Sequence, residues 1–382
     1  PAEFSGALRR QLNVVGTLTF VVASESAAGI AAILAELLDE VTDEGDTVRG
    51  IHPDGLPVEV AVADPSRFGT MLWEHSGADA HRAAFVDAFG EPADHAEEDA
   101  VFEAAGIAVI PAALREGTHE IEAARANELP DLIHSKHLRG TLHNHSTYSD
   151  GAHTLQQMAD RSRELGYSYF GICDHSRSLK VANGLSIQRV ADQHEEIRTL
   201  NAGYAADGRS PFKIFAGIES DILADGSLDY PDEVLATFDF IVASVHQGFN
   251  MTEDEATRRL ITAIENPHTS ILGHPTGRLL LRREGYPINH EKVFDACAAN
   301  GVAVELNANP YRLDVDWRWI EPALERGVLI SINPDAHSLE DLELMRWGVA
   351  AAQKGWLTAD GCLNAKTLEA FSAWVAGGRE QG

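Results

Sequence analysis

Seven short apolar runs, each closing on polar residues, mark the chain from residue 138 onwards. They are Leu138–Leu142, Tyr169–Cys173, Lys213–Gly217, Phe238–Val245, Thr269–Leu272, Val302–Leu306 and Val328–Ile332. Most are followed by a segment with apolar residues at helical spacing, as in Leu155–Leu165, Glu253–Glu265 and Glu291–Ala299. Strand and helix alternating over roughly 240 residues predict an α/β fold with parallel strands inside and helices outside, and closure into a barrel is favoured at that length. An open doubly wound sheet is the alternative, but no Gly-rich dinucleotide fingerprint follows any strand.

The earlier part of the chain is patterned differently. Val14–Ala23 predicts a buried strand, and Ala27–Asp39 places Ile30, Ile33, Leu34 and Leu37 at helical spacing. Thr47–Ile51 and Val58–Ala63 predict a hairpin around Pro53-Asp54-Gly55, and Phe68–Phe89 returns to a helical pattern. Glu91–Leu129 is acidic and rich in Ala, Gly and Pro, which suits short elements. The main boundary is placed near residue 137.

Composition narrows the class. The hydrophobic fraction of 44% and charged fraction of 23% over 382 residues fit a folded protein of two or three domains. No apolar run reaches the ~20 residues of a membrane span, and the start, Pro1-Ala2-Glu3, lacks the pattern of a signal peptide. The cysteines Cys173, Cys297 and Cys362 form no CxxC pair, so the expectation is a reduced, cytoplasmic protein with no obligate protein partner. The net charge of −29 makes general nucleic-acid binding through Lys and Arg unfavourable. It leaves open a nucleotide or DNA end reaching a site whose metals supply the positive charge. The acidity concentrates early, with about 25 carboxylates against about 9 Lys and Arg up to Arg139.

The candidate chemistry lies where barrel enzymes carry it, at the C-terminal ends of the strands. The first end supplies His143 and His145, with Asp150 close behind (HNHSTYSD). The next supply Asp174-His175, Glu219, His246, His274 and Asn307, and the last supplies Asp335 and His337 (PDAH). A single histidine after a strand is more often a core or surface residue than a ligand. Recurrence of His or carboxylate at six of the seven ends argues otherwise, because such a crowd left without metal would hold unpaired polar groups. Cys173 is expected to point away from the mouth, so imidazole and carboxylate ligands suit Zn, Mn or Fe. His143, His145, Asp150, His175, Glu219, His246, His274, Asp335 and His337 are too many for one ion. Sites with several metals ~4 Å apart clamp phosphate oxygens and generate hydroxide. The inferred reaction is hydrolysis of a phosphate ester with a metal-bound hydroxide as nucleophile. Lys180, Arg278 and Arg312 follow strand ends and are candidate phosphate contacts. His52, His75, His81, His95, His119, His134 and His137 lack ligand spacing and are expected to be ordinary surface histidines.

The order HxH, D, DH, E, H, GHP, DxH resembles the PHP (polymerase and histidinol phosphatase) family. The resemblance implies a distorted seven-stranded (β/α)7 barrel with a trinuclear centre of Mn²⁺ or Zn²⁺. By that resemblance, His143, His145, Glu219 and Asp335 hold one metal. Glu219, His246 and His274 hold a second, with Glu219 bridging, and Asp150, His175 and His337 hold the third. Longer stretches (LRRQLNVVGTLTFVVAS, LPDLIHSKHLRGTLHNHS, SLKVANGLS, GHPTGRLLLRREGY, ELNANPYRLDVDW) make nearly the whole chain similar to the C-terminal part of bacterial family X DNA polymerases. That similarity implies a palm-like α/β region over 1–66, a thumb-like region over 67–136 and a PHP barrel over 137–382. The family's upstream helix-hairpin-helix and fingers region has no counterpart here, so the sequence reads as a fragment or processed product.

One departure bears on activity. Where family X palms have a GDxD pair this chain has Gly16-Thr17-Leu18-Thr19, with Glu59 at the third carboxylate position and Gly6-Ala7 in place of Gly-Ser. Threonine supplies no anionic ligand, so polymerase activity is expected to be lost. The leading expectation is a 3′–5′ exonuclease or 3′-end phosphodiesterase acting on DNA. The alternatives are a small-molecule phosphatase of the histidinol-phosphatase type, and a residual polymerase or DNA-binding scaffold.

Overall fold

The computed structural model describes residues 1–377 and divides into two compact units, Pro1–Asp131 and a second beginning at Leu132. Among the described residues no helix is long and apolar enough to cross a membrane.

The first unit is built on β1 (Ala2–Phe4), β2 (Leu18–Ala23), β3 (Asp39–Asp43), β4 (Thr47–Ile51) and β5 (Pro57–Ala63), in the order β1-β2-β5-β4-β3. Only β2 and β5 pair in parallel. Helices α1 (Gly6–Arg9) and α2 (Ala27–Leu34) belong to the sheet region. They are followed by α3 (Phe68–Ser76), α4 (Asp79–Phe89), α5 (Asp99–Ala105) and α6 (Glu120–Ala126). The helical pattern over Phe68–Phe89 is two helices, because Gly77 and Ala78 are extended between them. The expected helix over Ala27–Asp39 stops at Leu34, and the chain turns into β3. His81 is a correction to the expected surface histidine: it is fully buried, its Nδ1 2.7 Å from Glu120. Glu120 also accepts from the Gly117 and Thr118 amides, so its burial comes with hydrogen bonds in place of water.

The second unit is a nearly closed barrel of seven parallel strands. These are β6 (Gly140–Thr141), β7 (Tyr169–Ile172), β8 (Lys213–Asp221), β9 (Phe240–Ser244), β10 (Ile271–Leu272), β11 (Ala303–Asn307) and β12 (Ile330–Asn333), each beside its sequence neighbour. The connecting helices are α7 (Leu155–Glu164), α8 (Ile187–Ala206), α9 (Asp232–Leu235), α10 (Glu253–Ile264), α11 (His290–Asn300) and α12 (Ile320–Leu324). After β12 come α13 (Met345–Lys354) and α14 (Leu368–Val375). The seam between β12 and β6 is bridged by a side chain: Asn364 accepts from the Ile332 amide at 2.8 Å and donates to the Gly140 carbonyl at 3.3 Å. His145 N also donates to Ala336 O across it, at 2.8 Å.

Strand alternation sorts the side chains into two sets. Tyr169, Phe215, Phe240, Val242, Ile271 and Ala303 pack together inside the barrel, floored by Phe371 and Trp374 of α14. Phe170, Ile172, Ile214 and Ala216 pack outward with Leu155, Met158 and Ile197 of the helices. Gly171 and Gly217 leave room for the Phe240 ring, which a Cβ at either position would approach to 2.6 Å. The apolar filling occupies the lower interior and leaves the upper end of the strands to polar groups.

Candidate metal centre at the barrel mouth

Following the inward-facing positions of each strand upwards leads directly to the site. On β8 the series Phe215, Gly217, Glu219, Asp221 runs from the apolar floor to two buried carboxylates. On β11 the series Ala303, Glu305, Asn307 runs from the floor to one buried carboxylate and one buried amide. His143 and His145 follow β6, His175 follows β7, His246 follows β9, His274 follows β10, and Asp335 and His337 follow β12.

Glu219 is the hub. Ring nitrogens of five histidines surround its carboxylate: His143 at 3.2 Å, His145 at 3.8 Å, His175 at 2.8 Å, and His246 and His274 at 3.1 Å each. Asp335 lies 3.1 Å from His145 and 3.6 Å from His143. Asp150 lies 3.6 Å from His175 and 3.4 Å from His337. All nine predicted residues are thus brought together. They form four overlapping groups able to hold a metal ion: His145, Asp150, His175 and His337; His143, Glu219 and His274; His143, His145 and Asp335; and His175, Glu219 and His246. These groups share members, with His145 beside Asp150 and His337 as well as beside Asp335, so they are less separate than the three sets the resemblance implied.

Two observations favour cations in this cluster. Among the described residues, buried ring nitrogens of His143 (Nε2), His145, His175 and His274 (each Nδ1), together with Glu219 Oε2, have no hydrogen-bond partner. His175 Nδ1 and Glu219 Oε2 are 2.8 Å apart yet misaligned for a hydrogen bond. Buried polar atoms left without a partner are costly, and a cation bound among these imidazoles and carboxylates would offset that cost. Backbone strain also collects here: His143, His274 and Asp335 have φ of 57°, 21° and 53°. Non-glycine residues in that region cost on the order of 1–3 kcal/mol each and persist where surrounding structure imposes them.

The protonation pattern has consequences for binding. Burial opposes charge on His143, His246 and His337, but neighbouring carboxylates outweigh it. Glu305, Glu219 and Asp335 raise His143 well above its ordinary value. Glu219 and Asp221 raise His246 to about 10, and Asp150 and Asp335 raise His337 to about 9. His145 goes the other way, to about 3, through burial and the nearby His337 and His175. Without metal, His246 and His337 therefore carry protons at neutral pH, and an entering ion must displace them. Metal affinity is expected to weaken as pH falls from 9 to 6 and to strengthen as pH rises through that range. Calorimetry at pH 7 in buffers of different ionisation enthalpy should show net proton release; its absence would contradict this assignment.

Several supporting residues carried no clear sequence signal. Glu305 is fully buried, holds His143 Nδ1 at 2.6 Å, and is itself bonded by Asn333, Asn307 and the His274 amide. Asp221 holds His246 Nδ1 at 2.5 Å. Such carboxylates fix the ring orientation and raise ligand basicity. Asp174 serves the loop instead, accepting from Ser146, Ser149 and Gln193. Cys173 is a further correction: it does not point away, but faces the interior with Tyr169 and Leu142, near His143 and Glu219. Burial raises its pKa strongly, so it remains a neutral thiol and no ligand.

The three candidate phosphate contacts divide. Arg312 Nε lies 3.7 Å from Asp335, at the edge of the cluster. Lys180 is exposed on the loop after β7. Arg278 is engaged elsewhere, paired with Asp316 at 2.6 Å and donating to the carbonyls of Arg312 and Leu313. It clamps the loop after β11, which corrects the expectation that it meets phosphate.

In the first unit, Thr19 and Glu59 lie side by side on β2 and β5. Arg49, across from Glu59 on β4, pairs with it at 2.9 Å and also contacts Glu44. The position expected to hold a third carboxylate is therefore already matched by a guanidinium.

A PHP domain model matches residues 141–309. The DNA polymerase/3′-5′ exonuclease PolX of Bacillus subtilis (strain 168) is 36% identical, over 97% of this chain and 68% of that protein. A probable phosphatase of Thermoanaerobacter sp. (strain X514) is 30% identical over 162 residues, covering 40% of this chain and 64% of that one. Among solved structures, histidinol phosphate phosphatase from Lactococcus lactis subsp. lactis, complexed with zinc, L-histidinol and phosphate, aligns with a TM-score of 0.41 at 16% identity. It covers 55% of this chain and 93% of that one, a match too loose to speak to ligands or chemistry.

Proposed function

The chain belongs to the family of bacterial family X DNA polymerase/exonucleases with a PHP barrel, and on that premise we propose that the barrel mouth is a 3′–5′ exonuclease centre acting on DNA. The observation that carries this reading is the Glu219 hub, with five imidazoles around one buried carboxylate and unpartnered buried polar atoms among the described residues there. The donor set, imidazole and carboxylate without thiolate, suits Mn²⁺ or Zn²⁺, up to three ions held by His143, His145, Asp150, His175, Glu219, His246, His274, Asp335 and His337. When bound, such ions polarise phosphate oxygens and lower the pKa of water.

The chain's own residues supply position and charge. Glu305 and Asp221 orient His143 and His246, and the seam through Asn364 fixes the height of β6 and β12. In this reading Arg312, 3.7 Å from Asp335, meets a non-bridging phosphate oxygen, and the exposed Lys180 remains a candidate contact to the strand. Water adds at phosphorus, the 3′ oxygen of the penultimate nucleotide leaves with a proton, and a 5′-mononucleotide is released.

Nucleotidyl transfer by the first unit is disfavoured, because Thr17 and Thr19 stand where anionic ligands are needed and Arg49 neutralises Glu59. Purified protein with Mn²⁺ is expected to release mononucleotides from a 3′-labelled single strand, to lose this on His143→Ala, and to incorporate no dNTP on a gapped template. Release that survives His143→Ala would sink the assignment. Similarity to a probable phosphatase over the barrel favours a second reading, hydrolysis of small phosphate monoesters. A glycerol phosphate assay on the same preparation separates the two.

A further inference from the structure

The loops after β10 and β11 carry an unusual combination of groups beside the cluster. Tyr311 is 56% exposed and the guanidinium of Arg282 lies over its ring, 4.9 Å from the centroid. The two loops are joined at this point by the Leu280 amide, which donates to the Tyr311 carbonyl at 2.7 Å. Leu279 and Arg283 pair across a tight turn, whose tip is Leu281, 88% exposed with φ of 61°. Arg283 packs over Phe249 and donates to the Gly277 carbonyl, and the Arg278 clamp holds the other loop. Both loops are therefore braced by hydrogen bonds and ring contacts while Tyr311 and Leu281 remain exposed.

Adjacency to the reaction centre gives this surface its meaning. The residue after Tyr311 is Arg312, which reaches Asp335. A phosphate at Arg312 would carry its sugar and base outward past Tyr311 and Leu281. Arg278 is matched by Asp316, but Arg282, which has no carboxylate partner among the described residues, and Arg312 put two guanidinium groups on these loops in a chain of net charge −29. An exposed aromatic ring backed by a guanidinium is a stacking surface for a nucleobase, and a protruding leucine next to it adds apolar contact. A small phosphate monoester has no group to occupy it.

We infer that Tyr311, backed by Arg282 and flanked by Leu281, is the platform on which the 3′-terminal base of a DNA strand stacks, making Tyr311 a specificity residue for nucleotide over small-molecule phosphate esters. This rests on the exonuclease reading above. The test compares two single-stranded oligonucleotides, one with a normal 3′-terminal nucleotide and one ending in an abasic tetrahydrofuran nucleotide, with the Mn²⁺-loaded 382-residue chain. The wild type should prefer the base-bearing end by roughly tenfold or more in kcat/KM, the range stacking supports. Tyr311→Ala should bring that ratio close to one, with the loss in KM, and Tyr311→Phe should keep it. A 2-aminopurine at the 3′ terminus should be quenched on binding to wild type and to Tyr311→Phe but not to Tyr311→Ala. A ratio or quench that Tyr311→Ala leaves intact overturns the platform while sparing the exonuclease. Failure of the wild type to cleave either strand, with glycerol phosphate still hydrolysed, overturns the exonuclease reading and the platform together.

Discussion

Glu219→Gln is expected to reduce phosphoester hydrolysis by on the order of 10³-fold or more, because groups acting as a unit fail together. The substitution keeps shape and volume, so the fold should persist by circular dichroism. It removes the charge to which His143, His145, His175, His246 and His274 are all close. Glu219 is held well below the usual carboxylate range: burial pushes it up, but His246, His143 and His175 outweigh that. It is therefore anionic at neutral pH, and an amide reproduces neither its charge nor its second acceptor oxygen. Metal content after dialysis should fall in parallel with rate. Full activity with an unchanged metal content would show that the hub is structural.

The second large effect is expected one step further out. Glu305 is not among the candidate ligands, yet Glu305→Gln should weaken metal binding by roughly 10–100-fold, the usual consequence of losing a carboxylate behind a histidine ligand. Its Oε2 faces His143 Nδ1 at 2.6 Å and Asn333 Nδ2 at 2.9 Å, while Oε1 takes Asn307 Nδ2 and the His274 amide. All of these neighbours offer protons, so a glutamine must turn its own N–H toward one of them. Either His143 changes tautomer, so that its lone pair sits on Nδ1 and no longer on Nε2, or the bond to an asparagine or to the His274 amide is lost. A metal titration followed by fluorescence or calorimetry reads the change, and an unaltered affinity would place His143 outside the metal set.

The nine-residue cluster was legible in the sequence because each member follows a short apolar run, and a parallel barrel brings all strand ends to one mouth. Glu305 was harder to see, since a glutamate in AVELN looks like any polar residue near a strand end. The signal was its parity, which puts it on the same face as Asn307 and two positions above Ala303. The same parity corrects Cys173: counting by two from Tyr169 through Gly171 places Cys173 inside, with His175 next. Arg278 could not be sorted from sequence, because its partner Asp316 lies 38 positions on and meets it only when two loops fold together. In the first unit β3 was missed because three of the five residues of DEVTD are acidic. It survives as a strand at the sheet edge, where charged side chains face water and discourage further pairing. Local pattern thus specified most of the barrel elements and the candidate ligands. The hydrogen bonds that aim those ligands depend on residues brought together only by the closed barrel.

The most direct measurement is anomalous diffraction from crystals of the full chain soaked in Mn²⁺, with the metal content of the same protein determined in solution. The account predicts up to three peaks at the barrel mouth, with Glu219 shared between at least two of them and His143, His246 and Asp335 among the ligands. A mouth without anomalous signal, in protein that still hydrolyses DNA ends, would contradict it.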